Sequence, residues 1–289
     1  MMSGLSDVVK RRLLVAFFVL AYALSWLAWP VWTFGLYPNP VFSFGPFLAA
    51  LVVLAIMQGK SGLGGLLRRM VRWRVGIRWY AVALLVPVAI TLAATGLNVL
   101  LGARAPSSAD LGGWTDLLPA FLLILLIPGL GGAWEEPGWR GYALPRLQTG
   151  RSALFAGLIL GVLIAGWHLP LMVVGQVHYS DILSIMGAVI VFNWVFNSAN
   201  GSVLIVMVMH ATNNTISGSF FAPMFSGADS VRQGWLLAVV WCVAAIVVVL
   251  WAGPADLSRK HTKQVEEPSQ SESEAKSAPQ TSEAKEVLK

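Results

Sequence analysis

Apolar runs long enough to cross a bilayer follow one another through almost the whole chain, near 13–34, 41–57, 79–101, 117–147, 153–174, 182–198, 202–221 and 233–252. A transmembrane helix needs roughly 20 apolar residues at 1.5 Å rise each, so each run can supply one span. With 56% hydrophobic and only 12% charged residues, where soluble domains carry about 25% charged, a water-soluble domain is excluded. The expected architecture is an all-α integral membrane protein, a bundle of about eight transmembrane helices over 13–253. A short segment, 1–12, precedes it and a hydrophilic tail, 254–289, follows.

Basic residues set the expected orientation, because loops rich in Lys and Arg stay in the cytoplasm. Lys10, Arg11 and Arg12 precede the first span, and Lys60, Arg68, Arg69, Arg72, Arg74 and Arg78 fill the second loop. Arg140, Arg146 and Arg151 cluster around the fourth span, and Arg259, Lys260 and Lys263 follow the last. The opposite side holds Arg104 and Arg232. Both termini are therefore expected in the cytoplasm, and the uncharged loop near Asn200 does not bear on the assignment. The basic start and Ala21-Tyr22-Ala23 resemble a cleavable signal, but the apolar run continues through Trp29, as in an uncleaved anchor. A single cysteine, Cys242, permits no intrachain disulfide.

Beyond Pro254 the chain turns to Ser, Glu, Lys, Gln and Pro, a composition that cannot bury enough surface to fold, so a disordered, solubilising tail is expected. In the second loop Leu63, Leu66, Leu67, Met70 and Val71 recur at helical spacing beside Arg68, Arg69 and Arg72. Either a helix in the headgroup layer, with its arginines on anionic lipid, or a plain topology signal accounts for that pattern. Trp29, Trp79, Trp114 and Trp251 near span ends fit an interfacial belt. The net charge of +6 carries no nucleic-acid motif with it, and no nucleic-acid partner is expected.

Chemistry is expected where ionisable side chains sit in apolar segments, since such residues are costly and kept for function. These are Glu135, Glu136, Arg140, His168 and His210. For them to cooperate they must lie at similar depth. His168 lies about 22 Å and His210 about 12 Å from the cytoplasmic start of their helices. Glu135 reaches a comparable depth, roughly 18 Å, only if the fourth helix continues unbroken through Leu147. A long helix over 117–147, bent at Pro137 by the missing N–H, is therefore expected, with Gly138 and Gly141 admitting close neighbours.

Glu136 and Arg140 share a helix face and can pair, which leaves Glu135 free to act as a base. His210 and Asn214 also share a face and can bind a metal or donate to an oxyanion. His168 precedes Leu169-Pro170 at an expected helix bend. Asn193 and Asn197 could line the same cavity, although helix-to-helix hydrogen bonding explains them more simply. His178, in an outer loop, and His261, in the tail, receive no role.

Three segments together are similar to a known family: Glu135-Glu136-Pro-Gly-Trp-Arg140 to its Glu-Glu-x-x-x-Arg, Ile164-Ala-Gly-Trp-His168 to its Phe-x-x-x-His, and His210-Ala-Thr-Asn-Asn214 to its His-x-x-x-Asn. Asn200-Gly-Ser-Val resembles the family's small-residue turn into the last of these helices, and Gly76-Ile-Arg-Trp-Tyr80 its usual start of the third span. The family is the CPBP or Abi group of intramembrane proteases, which includes the type II (Rce1-like) CAAX prenyl endopeptidases and bacteriocin-processing and self-immunity proteins. The likeness covers about 60–220, with a protease-like core near 117–221. Two features depart from the pattern: Ile164 stands where the family often has Phe, which touches the shape of a substrate pocket, and Pro137 directly follows the glutamates.

The resemblance implies an endopeptidase of the prokaryotic cell membrane, cleaving near the cytoplasmic face. Its substrate would be a peptide or a membrane-anchored protein. Glu135 would activate water with help from His168, while His210 and Asn214 would hold the oxyanion or a metal. Glu135, His168 and His210 have the ligand types of a catalytic Zn2+ site, and a metalloendopeptidase with Zn2+ on these three residues is expected; no His-Glu-x-x-His accompanies them, and a metal-free arrangement, which needs no ligand geometry, is the alternative. Two other readings are carried forward. One is a non-enzymatic immunity protein that binds a peptide toxin, the other a proton-coupled transporter, disfavoured by the lack of an inverted repeat.

Overall fold

The computed structural model describes residues 2–259 apart from 106 and 108–113. Helices α1 (Met2–Trp26) and α2 (Ala28–Thr33) lead into α3 (Gly45–Met70) and α4 (Ile77–Leu100). Helix α5 (Trp114–Leu126) stops before a composite helix that carries the glutamates. That helix begins as a 3-10 turn (Gly132–Glu135), becomes α6 (Glu136–Gly138), widens to a π turn (Trp139–Ala143) and ends as α7 (Leu144–Gln148). Then come α8 (Ala153–Trp167), α9 (Leu169–Val173), α10 (Asp181–Ser198), α11 (Val203–Asn213), which runs on as a π turn (Asn214–Phe221), and α12 (Gly227–Ala252).

Five helical segments are long and apolar enough to cross a membrane, and two shorter apolar ones, Thr115–Leu126 and Ala153–Trp167, accompany them. With α11 and its π extension, the all-α bundle of about eight arms is as expected. The protein is a multi-pass membrane protein. No strand occurs among the described residues.

Helix α11 is the central post. Val203, Ile205, Val206, Met209 and Ala211 are fully enclosed, as a helix apolar on all sides must be when neighbours surround it. Helices α4, α5, α10 and the composite helix pack around it, α1 pairs with α3, and α12 closes α10 and α4 from outside. Val15, Val19, Leu85, Leu92, Val243 and Ile246 on the outer helices are exposed, forming an apolar surface suited to lipid.

Hydrogen bonds sort the loops into two ends. Arg72 donates to the carbonyl of Asn200, and Ser202, the N-cap of α11, donates to the carbonyl of Arg72 at 2.7 Å. Ala153 N–H donates to Ala255 at 2.6 Å. The loops near 72, 152, 200 and 255, which hold most of the arginines, thus share one end, and the Asn200 loop joins the basic side. At the other end Arg232 donates to Asn98 at 2.6 Å and pairs with Asp229 at 2.7 Å.

Four expectations need correction. The fourth span is not one bent helix. It breaks at 127–131, where Pro128 offers no N–H and Gly129 (φ 93°) and Gly131 (φ 153°) take conformations that L side chains avoid. Irregular backbone at this depth is tolerated only when its polar groups find protein partners, and they do. Tyr37 Oη donates to Gly129 O at 3.0 Å and Trp134 Nε1 to Leu125 O at 3.1 Å. Arg140 is 3% exposed and carries no topological charge. Trp79 is buried against Trp194, ring centroids 5.3 Å apart, and so is not an interfacial belt residue. Residues 254–259 are not part of a loose tail, because Leu257 and Ser258 are buried and the backbone caps α8. The remaining tail, 260–289, lies outside the described residues.

The amphipathic stretch of the second loop is helical, forming the second half of α3 beyond a kink at Gly59 (φ 55°). It packs where the composite helix has small residues. A Cβ on Gly141 would lie 2.5 Å from Leu66 Cδ1, and one on Gly138 would overlap the Pro46 backbone. Gly138→Ala should therefore destabilise the protein by roughly 1–3 kcal/mol through overpacking. Gly96→Ala, where a Cβ meets open space, should be neutral or stabilising by up to about 1 kcal/mol. Thermal unfolding in detergent compares the two.

Candidate active site

Each glutamate in the composite helix meets a donor four residues on, one neutral and one cationic. Glu135 Oε2 accepts from Trp139 Nε1 at 3.2 Å. Glu136 receives Arg140 Nη1 at 3.0 Å on both oxygens, and its Oε1 lies 2.6 Å from His210 Nδ1. The π turn begins at Trp139; such widened turns are frequent at functional sites. Glu136 is fully buried and Glu135 4% exposed.

Arg140 is fixed from α10 as well. Its Nε donates to Asn193 Oδ1 at 3.2 Å and its guanidinium lies 5.1 Å from the centre of the Phe192 ring. That ring meets His210 edge to face at 5.6 Å. A buried ion pair is stable only when its remaining valences are satisfied, and Asn193 and His210 supply those partners. Glu136 is thus held as a structural anion, while Glu135 enters no ion pair among the described residues.

His210 presents Nδ1 to Glu136, which leaves Nε2 for the cavity side. The Asn214 amide is oriented by three contacts. Its nitrogen donates to His210 O at 3.0 Å and lies 3.3 Å from His210 Nε2, and its oxygen accepts from Gly132 N–H at 3.2 Å. The shared face expected of His210 and Asn214 is present, and it reaches across to the start of the glutamate helix. Gly132 is where these groups approach one another. A Cβ there would overlap His210 Nε2 and lie 2.9 Å from Glu135 Oε1, so the imidazole and the carboxylate both pack directly against Gly132 and face each other across it.

His168 stands at the junction of α8 and α9, the expected bend, with Nδ1 2.9 Å from the Ile164 carbonyl. Ile164 therefore serves His168 through its backbone. Among the described residues no hydrogen bond or ion pair links His168 to the glutamates or His210. The connection is aromatic: its ring packs on Trp167 at 4.8 Å, and Trp167 on Trp139 at 6.0 Å.

The structure thus gathers Glu135, Glu136, Arg140, His210 and Asn214, and sets His168 against Trp167 at the junction of α8 and α9. Asn197 donates instead to Asp256 O at 2.8 Å, tying α10 to the chain after α12. Trp139, Phe192 and Gly132 were not singled out from the sequence. Only the spacing of four between Glu135 and Trp139 pointed to one of them. No three His, Cys, Asp or Glu side chains converge as a metal-ligand set among the described residues, although a carboxylate or carbonyl on each Nδ1 is the support that ligating histidines usually have.

Removing Arg140 alone should leave the buried Glu136 uncompensated and cost roughly 3–5 kcal/mol. Arg140→Met should therefore unfold at lower denaturant or temperature than the double variant Glu136→Gln/Arg140→Met, which removes both charges.

Comparison with known proteins places the same residues in context. Residues 114–216 match the family described as "Type II CAAX prenyl endopeptidase Rce1-like". One relative, a "CAAX prenyl protease 2" from Methanococcus maripaludis, is 24% identical over 181 residues, covering 57% of this chain and 65% of the relative. The match thus spans a little under two thirds of that relative's length. All three motifs fall inside the matched segment, and through residues 114–216 the chain is similar to the Rce1-like, type II CAAX prenyl endopeptidases.

Proposed function

We propose that the protein is an intramembrane endopeptidase, cleaving a peptide or membrane-anchored protein near the cytoplasmic face of a prokaryotic cell membrane. The observation that carries this reading is the contrast between the two glutamates. Glu136 is neutralised by Arg140, whereas Glu135 enters no ion pair among the described residues and keeps Oε1 against Gly132, beside His210.

A water held by Glu135 Oε1 and His210 Nε2 would lie between a carboxylate and an imidazole. Glu135 would take its proton as the oxygen attacks the scissile carbonyl carbon. The oxyanion would be met by the Asn214 amide and by His210 Nε2, with Glu136 at Nδ1 compensating charge on the ring. The proton would then pass from Glu135 to the leaving nitrogen as the C–N bond breaks. His168, with Nδ1 held by Ile164, would keep Nε2 for the water or the leaving amine. Positioned bases contribute about 10²–10⁴-fold. Because the candidate ligands do not converge, no step passes through a metal.

Membrane proteomics of cells carrying wild type or Glu135→Gln tests the reading. New peptide termini should appear with wild type alone; identical termini, with both proteins inserted, would favour a binding or immunity protein. Gly132→Ala would push His210 and Glu135 apart and should reduce turnover on the order of 100-fold, the cost of misplaced reacting groups. Exhaustive chelation should leave activity intact, with no stoichiometric zinc by elemental analysis.

A further inference from the structure

Trp139 is fully buried in the middle of the bundle, yet it is the residue that touches the proposed base. Its indole N–H reaches Glu135 Oε2 at 3.2 Å, and the other oxygen, Oε1, is the one that packs against Gly132 on the side of His210 Nε2. The ring is clamped on three sides. Phe17 meets it edge to face at 5.9 Å, Phe18 stacks at 6.1 Å, and Trp167 meets it edge to face at 6.0 Å. A donor with so little freedom fixes the plane of the carboxylate it binds.

We propose that Trp139 is a positioning residue for Glu135, holding Oε2 so that Oε1 is aimed at the space between Glu135 and His210. This rests on Glu135 acting as the base and adds what aims it. The chemistry of the donor matters. An indole is neutral and cannot give up its proton to the carboxylate, so it orients Glu135 without cancelling its charge, whereas the guanidinium on Glu136 cancels as well as orients. The spacing of four is the same for both glutamates, and the donor at its end assigns their different roles. Trp139 also joins the site to His168, since one indole bonds Glu135 and the next packs on the imidazole.

The test is Trp139→Phe in the full-length protein, which keeps an aromatic ring among Phe17, Phe18 and Trp167 and removes the N–H. Turnover should fall by about 10- to 100-fold with KM little changed, the range expected for one hydrogen bond to a charged group. In the Glu135→Gln background the same substitution should cost nothing further. Unchanged turnover in a folded Trp139→Phe protein would overturn the proposal, as would an equal loss in both backgrounds.

A second measurement needs neither activity nor that variant. In protein labelled with nitrogen-15 at the indoles, Glu135→Gln should shift a buried indole resonance upfield, because the charged acceptor is gone. If no indole resonance moves, the bond is absent and the proposal fails. Should wild type cleave nothing, the protease reading falls while the indole shift still decides the Trp139 contact.

Discussion

The bundle is organised around the burial of one anion. Glu136 has no access to water, and a lone carboxylate in such surroundings would cost several kcal/mol. Its stability depends on Arg140 from the next helical turn and His210 from α11, and Arg140 depends in turn on Asn193 and Phe192 from α10. Three helices are thereby locked at one level by a single charge cluster. Such clusters contribute little net stability but allow few alternative packings. Here the selected packing sets Glu135 beside His210 across a glycine.

The helix break before the glutamates is the second requirement. A continuous helix from 117 would hold the first turn of the motif within its own ladder of hydrogen bonds. Breaking at Pro128–Gly131 frees Gly132 N–H, which then bonds the Asn214 amide instead. The irregular backbone is thus part of what brings α11 and the glutamate helix together, and its remaining polar groups are covered by Tyr37 and Trp134.

Much of this was legible in the residues. Spacing alone predicted the Glu136–Arg140 bridge, the shared face of His210 and Asn214, the bend at His168 and the close approach at Gly138 and Gly141. Hydropathy hid the break, because Pro128, Gly129 and Gly131 sit in a run that stays apolar from 117 onward, although the residues themselves are turn formers. Asn193 was weighed as a cavity residue or as glue, and no sequence rule could assign its partner, since Arg140 lies 53 positions away. Trp139 was invisible as a ligand of Glu135 because a tryptophan in a membrane helix ordinarily needs no explanation beyond burial.

The strand of chain after α12 carries a consequence for how the molecule closes on itself. Pro254 and Ala255 accept from Leu154 and Ala153 N–H, and Asp256 accepts from Asn197. The end of the last helix is thereby a splint across the starts and ends of two inner ones, α8 and α10. Helix α8 carries His168 at its far end, fifteen residues from this tie. The position of His168 is thus set at the opposite end of α8 from a start that the chain after α12 holds in place.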